Sequence, residues 1–421
     1  MGFSDLSSVL ILWIQLGKNA TKRVNICIHT KDWYLLCLLA VAPCNQRSLA
    51  LNTFINVQIK LKKLKFHTPD ENGKTKCHVL HIGKENKLCP TLQVHGTSMI
   101  HVTEDTYLGD IISSDGRNTK NITSRIHKGH GKITEIMTIL ETTPLGPHYF
   151  KTALLLRESL FLNSILTNAD IWVGLTNEEI KQFEDLDLIL MRKFLKTPFS
   201  VPAEAVYLEL GCLNIGTMIK ARRCNYLHYL VKQSETSMLK NFFMAQWKYP
   251  TMNDWTEQVK KDLIDFDLPI ELDLIKARST YSFNAEVKRK SIEYAFFSYL
   301  AKKEIHSKLD NLFYRELSLQ NYFYDDDISC SEAQVIFSFR TRMSNFSENY
   351  PGKDGIKVCP LCQNHQDLQK FSFQCSRVLE TVEIRGNYSN IFSENIKLET
   401  VRTIEQISKF RTEYIQERTI T

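Results

Sequence analysis

The stretch TYLGDIISSDGRNTKNITSRI, Thr106 to Ile126, leaves its part of the chain few conformations. A strand-like piece ends in Tyr107-Leu108-Gly109, and Ser113-Ser114-Asp115-Gly116 has the composition of a turn. Beyond it Ile122, Ile126, Ile133, Met137 and Leu140 recur at helical spacing, while Arg117, Lys120, Arg125, Lys128 and Lys132 take much of the remaining surface. The pattern predicts a helix with one apolar and one basic face.

Helical periodicity dominates downstream. TTPLGPH breaks the basic helix, and an apolar helix is expected from Tyr149 to about Thr167. Thr176 and Glu179 match a capping box ahead of Ile180, Phe183, Leu190 and Phe194. Three helices joined by short breaks imply a compact bundle. Pro198 and Pro202 bracket a boundary before a second helical region, which runs from Ala203 to about Asn349 and includes the long basic SFNAEVKRKSIEYAFFSYLAKKEIHSKL. Upstream, Leu49, Phe54, Val57 and Leu61 share a helical face, Lys76 to Ile82 alternates as a strand, and Leu88 to Val94 with Met99 to Val102 reads as a strand pair. The tail from about Leu379 alternates polar and apolar residues without a catalytic signature.

Charge and cysteine usage bound the partners. The net charge of +6 is mild, so only its clustering matters to a polyanion. Eleven cysteines, scattered apart from Cys359 and Cys362, lack the spacing of a secreted disulfide framework and predict a reducing, intracellular setting, cytoplasmic or nuclear. The apolar runs Val9 to Leu16 and Trp33 to Ala42 are shorter than the roughly 18 to 20 residues that span a bilayer, so no membrane partner is expected. His67, His78, His81, His95 and His101 are scattered, and surface or satisfied core positions explain them better than a metal site.

The order LNTFINVQIKLKKLKF, KTKCHVLHIGK, TYLGDIISSDGRNTKNITSRI, VYLELGCLNIGTMIKARRCNYLHYL and CPLC resembles the C-terminal half of a non-LTR retrotransposon reverse transcriptase, over roughly Ala40 to Cys375. The resemblance implies an α+β fold: a small palm-like β-hairpin and helix remnant, then a largely α-helical thumb and a helical connection region. It implies an unplaced extension over 1–30, a partial palm with the primer-grip hairpin over 31–112 and a three-helix thumb over 113–202. A helical connection over 203–350, a degenerate zinc knuckle over 355–378 and a tail over 379–421 complete the division. Tyr107, Leu108 and Gly109 become the primer grip, and Arg117, Lys120, Arg125, Lys128 and Lys132 a phosphate-facing row. A glycine lets a nucleic-acid backbone approach, and lysine and arginine meet phosphates without reading base sequence. From the residues alone, Gly109 relieving a tight turn beside a solvated basic face is an equally simple reading.

Polymerases hold two magnesium ions on adjacent carboxylates. The corresponding stretch here is WYLLCLLAVAP, which puts Leu36 and Cys37 at the Asp-Asp positions. Neither supplies a hard oxygen ligand. Nor do the 31 residues before it resemble the fingers, so the resemblance implies a remnant without polymerase activity. Lys76 lies where the family has a lysine near the incoming nucleotide, a residual general acid or an exposed strand residue. Asp325-Asp326-Asp327 after Tyr324 has the wrong context for a catalytic pair and reads as a solvated acidic loop.

Cys359-Pro-Leu-Cys362 with Cys375 begins a zinc site. Related elements carry CPLC, an Asp-x-Gln segment and a later histidine; Asp367 and Gln369 are present, but Phe371 stands where the histidine would be. His365 could complete the site by another loop path, and three free thiols in a loop is the alternative. The expected function is residual, sequence-independent binding of RNA, RNA–DNA hybrid or DNA duplex. The competing readings are a non-enzymatic helical interaction protein and an RNA-directed DNA polymerase whose catalytic half lies upstream.

Overall fold

The alternation of Cys77 and Val79 with their neighbours is realised as a strand over Cys77–Ile82, and the computed structural model shows what it pairs with. It describes residues 9–14, 77–82, 93–94, 97–98, 100–107, 109–250, 254–350, 357–393 and 396–420. Leu36, Cys37, Lys76, Leu108 and the helix expected from Ser48 lie outside them. The chain divides into two compact units, Met1–Arg125 with Thr167–Glu179 and Arg222–Val287, and Ile126–Leu166 with Ile180–Ala221 and Lys288–Thr421.

In the first unit β1 (Val9–Ile14), β2 (Cys77–Ile82) and β5 (Ile100–Val102) form a parallel sheet in the order β1-β2-β5. The strand pair expected between Leu88–Val94 and Met99–Val102 is replaced by two pairings. β3 (Gln93–Val94) meets β4 (Thr97–Ser98) in an antiparallel pair, while β5 pairs with β2. β3 and β4 are two residues apart, the separation of a tight hairpin, which leaves β5 free to join β2. β6 (Glu104–Tyr107) and β7 (Asp110–Ser113) make an antiparallel hairpin across the turn that holds Gly109.

The remainder is predominantly helical, an α+β composition. α1 (Thr119–Thr142) buries Ile122, Ile133 and Leu140 as its periodicity requires. α2 (Tyr149–Leu156) continues through a π-helical turn, Arg157–Leu162, into Asn163–Ile165. The expected helix is therefore present but widened at Arg157, whose guanidinium donates to both oxygens of Asp187 at 2.7 and 2.6 Å in the second unit's core. Thr176 and Glu179 form the expected box at the start of α3 (Asn177–Phe194), with Glu179 N–H donating to Thr176 Oγ1 at 3.1 Å and Thr176 N–H to Glu179 Oε2 at 2.9 Å. Within the second unit, a Cβ built on Gly129 of α1 would lie 2.4 Å from Leu186 Cδ2 and 3.1 Å from Ile165 Cγ2. The missing side chain is what lets these helices touch.

α4 (Ala203–Leu210) ends at Gly211, whose φ of 64° makes the left-handed cap. α5 (Ile215–Lys232), α6 (Met238–Lys248), α7 (Trp255–Asp265), α8 (Leu272–Ala277), α9 (Thr280–Lys303) and α10 (Cys330–Arg340) follow. In the first unit, Arg223 of α5 grips Asp262 of α7 through two hydrogen bonds, 2.6 and 3.1 Å. α11 (Ser376–Thr381) and α12 (Leu398–Ile420) complete the chain. The tail expected to alternate polar and apolar residues is helical over α12. Ile404 and Ile407 join Phe339, Phe346, Phe373 and Ile391 in a C-terminal core. Among the described residues, no helix is long and apolar enough to cross a membrane.

Candidate metal centre and basic helix

The hairpin is fastened to the first turns of α1. Asp110 accepts from Asn121 Nδ2 at 2.9 Å, Arg125 at 2.8 Å and Asn168 Nδ2 at 2.6 Å, while Ile111 N–H donates to Asn121 Oδ1 at 3.2 Å. On the other strand Glu104 pairs with Lys120. Between them Asp115 accepts from Ser113 Oγ at 2.5 Å and from the Arg117 N–H at 2.9 Å, closing the Ser-Ser-Asp-Gly turn. The Ser113 hydroxyl, then the Arg117 N–H, hold the Asp115 carboxyl below its usual range.

This geometry corrects one expectation. Arg125 is 3% exposed and committed to Asp110, so it is a structural cation and no part of a phosphate-facing row. Polar spacing along a helix marks a position as unsuited to the apolar core, but it does not separate an exposed cation from one buried against a carboxylate supplied elsewhere. Asp110, directly after Gly109, was the available signal: an acid beside a turn, one strand away from a basic helix. Lys120 is exposed and paired with Glu104, and Lys132 is half-buried and bonds Glu135 at 2.6 Å. Arg117 and Lys128 are exposed, and the Arg117 charge acts on the neighbouring Asp115 carboxylate.

Tyr107 closes β6 opposite Asp110. Gly109 has φ of 87°, and a Cβ there would come no closer than 3.8 Å to Arg125. The backbone conformation of the turn, and not crowding, accounts for the glycine. Asp325, Asp326 and Asp327 are exposed in a turn, as a solvated loop should be.

The cysteines converge. Cys359, Cys362 and Cys375 place their sulfurs within 4.8 Å of one another, with Cys359 and Cys375 at 3.9 Å. A zinc ion about 2.3 Å from each of its tetrahedral sulfurs needs them about 3.8 Å apart, so the donor set fits. Two local structures bring them together. In the first, Asp367 N–H donates to Lys357 O at 2.7 Å and Cys359 N–H to His365 O at 2.7 Å, while Gln363 takes φ of 55° to turn the loop. In the second, the 3₁₀ segment Gln369–Gln374 delivers Cys375 to the start of α11.

Burial pushes the Cys362 thiol up, but N–H donors of Asn364 and His365, with the neighbouring thiols, outweigh it and leave it below its ordinary value. Burial pushes Cys375 up to about 11, against N–H donors at Val378 and Arg377. Backbone donors aimed at cysteine sulfur are the surroundings a thiolate ligand requires.

His365 does not join the sulfurs. Among the described residues no fourth histidine, cysteine or carboxylate atom meets the three, and the His365 ring lies against Phe371 with centroids 5.9 Å apart. The Cys359 N–H donates to the His365 carbonyl, and His365 lines the same pocket as the three sulfurs without joining their cluster.

The Asp-x-Gln segment acts as scaffold. Asp367 Oδ2 accepts from Arg411 at 2.8 Å and from Ser347 N–H at 2.8 Å. Gln369 donates to Phe339 O at 2.8 Å and accepts from Ser344 Oγ at 2.6 Å. Arg411, 44 residues beyond Asp367, carried no sequence signal. Compared with protein-family models, curated proteins and solved structures, the chain matches none.

Proposed function

We propose that this chain is a non-catalytic, sequence-independent nucleic-acid binder of reverse-transcriptase descent, with a C-terminal module held together by a zinc ion. The observation that carries the reading is the hairpin Glu104–Ser113 pinned to the first turns of α1 by Asp110 and Glu104. A short turn and the start of a basic helix thereby form one unit, and α1 offers Lys120 and Lys128 to solvent just beyond the exposed Arg117. Such an array favours phosphate contacts. Cys359, Cys362 and Cys375 would hold the zinc, whose chemistry there is structural.

The test is binding of a labelled RNA–DNA hybrid across a salt series. For the double variant Arg117→Ala, Lys128→Ala, the slope of log affinity against log salt should fall by about one to two, with similar loss on every sequence. Arg125→Ala should behave differently, lowering thermal stability, because Asp110 loses its cation and keeps only the Asn121 and Asn168 amides. Salt-independent binding, unchanged in the double variant, would instead favour the helical interaction protein.

With Leu36 and Cys37 at the carboxylate positions, primer extension in magnesium or manganese should stay at background. Extension above it would overturn the non-catalytic reading.

A further inference from the structure

Thiols held in contact can be joined without a metal, by removing their hydrogens. Cys359, Cys362 and Cys375 keep their sulfurs within 4.8 Å of one another. The Cys375 thiol hydrogen-bonds both of the others, with its sulfur 3.9 Å from that of Cys359. Side-chain rotation closes such a contact to the about 2.0 Å of a disulfide. Exposure separates the three: Cys359 and Cys375 are buried, whereas Cys362 is partly exposed, so a small oxidant arriving from solvent meets the Cys362 sulfur first. Topology separates them too. Cys359 and Cys362 share one turn, in which Gln363 N–H donates to Cys359 O at 2.9 Å, so a bond between them would join nothing that the turn does not already join. Cys375 stands at the start of α11, and a bond from it to Cys362 ties the loop to the helix. Cys359, Leu361, Phe373, Cys375 and Val378 belong to one apolar core, which keeps the two segments adjacent.

We propose that peroxide converts Cys362 and Cys375 into a disulfide, and that this bond is a second clasp between the CPLC loop and α11. The inference stands on the sulfur positions and not on zinc, because the reaction is that of the metal-free chain. The Cys362 thiolate attacks one peroxide oxygen and the O–O bond breaks, which leaves Cys362 as a sulfenic acid and the second oxygen as hydroxide, taken to water by the thiol's proton. The Cys375 sulfur then attacks the Cys362 sulfur. Its S–O bond breaks, and the hydroxyl leaves as water with the Cys375 proton. Two thiols are oxidised and one peroxide is reduced to two waters. A disulfide sulfur is no longer a thiolate ligand, so the module has two alternative clasps drawn from the same side chains: a reduced one available to metal and an oxidised one that needs none.

The experiment uses the reduced full chain, stripped of metal by chelator, freed of reductant and treated with equimolar hydrogen peroxide. Remaining thiols are then blocked, and disulfides are mapped by mass spectrometry of the peptides. The expected result is a Cys362–Cys375 bond that dithiothreitol reverses and that Cys362→Ser lacks. Cys359→Ser should form the same bond, since Cys359 takes no part in it. Hydrogen exchange at amides of 359–378 should be about tenfold slower in the oxidised chain than in the reduced metal-free one. A map of the unaltered chain that leaves Cys362 or Cys375 out of the disulfide, or finds Cys362 carried on to sulfinic acid, would overturn the proposal. So would the mapped bond with exchange at 359–378 unchanged. A parallel sample given one equivalent of zinc before the peroxide tests the metal centre separately: zinc on the sulfurs should slow formation of the bond by about tenfold. Equal rates with and without zinc would count against the metal centre and leave the disulfide clasp standing.

Discussion

Chelating the metal from the full chain should open the C-terminal module from about Lys357 to Val382, giving the largest loss of order expected from any single treatment. Structural zinc supplies on the order of 10 kcal/mol to small metal-folded peptides, which sets the ceiling. Here part of that order is independent of metal, because Phe373, Val378, Ile391, Ile404 and Ile407 share an apolar core. The loop carrying Cys359 and Cys362 has less to fall back on: Gln363 is held at positive φ, and its closing bonds are backbone pairs around His365 and Asp367. Three unligated thiols in contact give that loop no compensation for the conformational entropy it gives up. Hydrogen exchange with and without chelator should show amides of 359–378 losing protection first. Cys375→Ser should reproduce the chelator's effect, and adding chelator to the variant should change little further, since both remove the same interaction. Identical exchange in the treated and untreated chain would show that the apolar core alone holds the module.

The difference between legible and illegible features lies in how far apart the interacting residues sit. α1 was readable because Ile122, Ile133 and Leu140 repeat within one helix, and the box at Thr176 and Glu179 because its partners are three residues apart. The cysteine site was readable as far as CPLC, where two ligands lie in one turn of loop. It was not readable at the fourth position, because whether His365 reaches the sulfurs depends on which way the loop folds, and in the structure its ring lies against Phe371.

Arg125 is expected on the solvent-facing basic side of the helix, but it is buried on the face of Ile122 and pairs with Asp110. Its spacing fits solvent-facing phosphate contact and burial against Asp110 equally well, and only the hairpin's return path selects between them. Asp367 and Gln369 were visible as a motif, but their work, bonding Arg411, Ser344 and Phe339 O, is long-range. The π turn at Arg157 had no local mark either, since its Asp187 partner lies 30 residues on.

Arg340→Ala should destabilise the second unit by about 3 to 5 kcal/mol, because it leaves a buried carboxylate without its cation. Glu209 of α4 is fully buried, and its Oε1 accepts from Arg340 Nε at 2.9 Å and from the Tyr314 hydroxyl at 2.7 Å. Its Oε2 accepts from the Tyr322 hydroxyl at 2.7 Å. Burial, then the Glu209 charge, hold both phenols well above their ordinary range, so each keeps the proton it donates. Burial opposes the charge on Arg340, and Glu209 outweighs it. Arg340 Nη1 also donates to Ile391 O at 2.7 Å, so the same side chain ties α10 to the segment ahead of α12. Stability of 5 to 15 kcal/mol is usual for a domain, so this one change should remove a large fraction of it. Glu209→Leu should be comparably severe for a different reason: it strands the guanidinium and both tyrosine hydroxyls, at about 1 to 3 kcal/mol for each neutral donor. The double variant Glu209→Leu, Arg340→Ala should therefore recover only part of the loss. Adding Tyr314→Phe and Tyr322→Phe should recover more, because the two phenolic donors then no longer lie buried without an acceptor, though Ile391 O still lacks its Arg340 donor. Urea midpoints followed by circular dichroism across the four variants test this. Singles whose losses simply add in the double would mean that the four side chains contribute separately and not as one network.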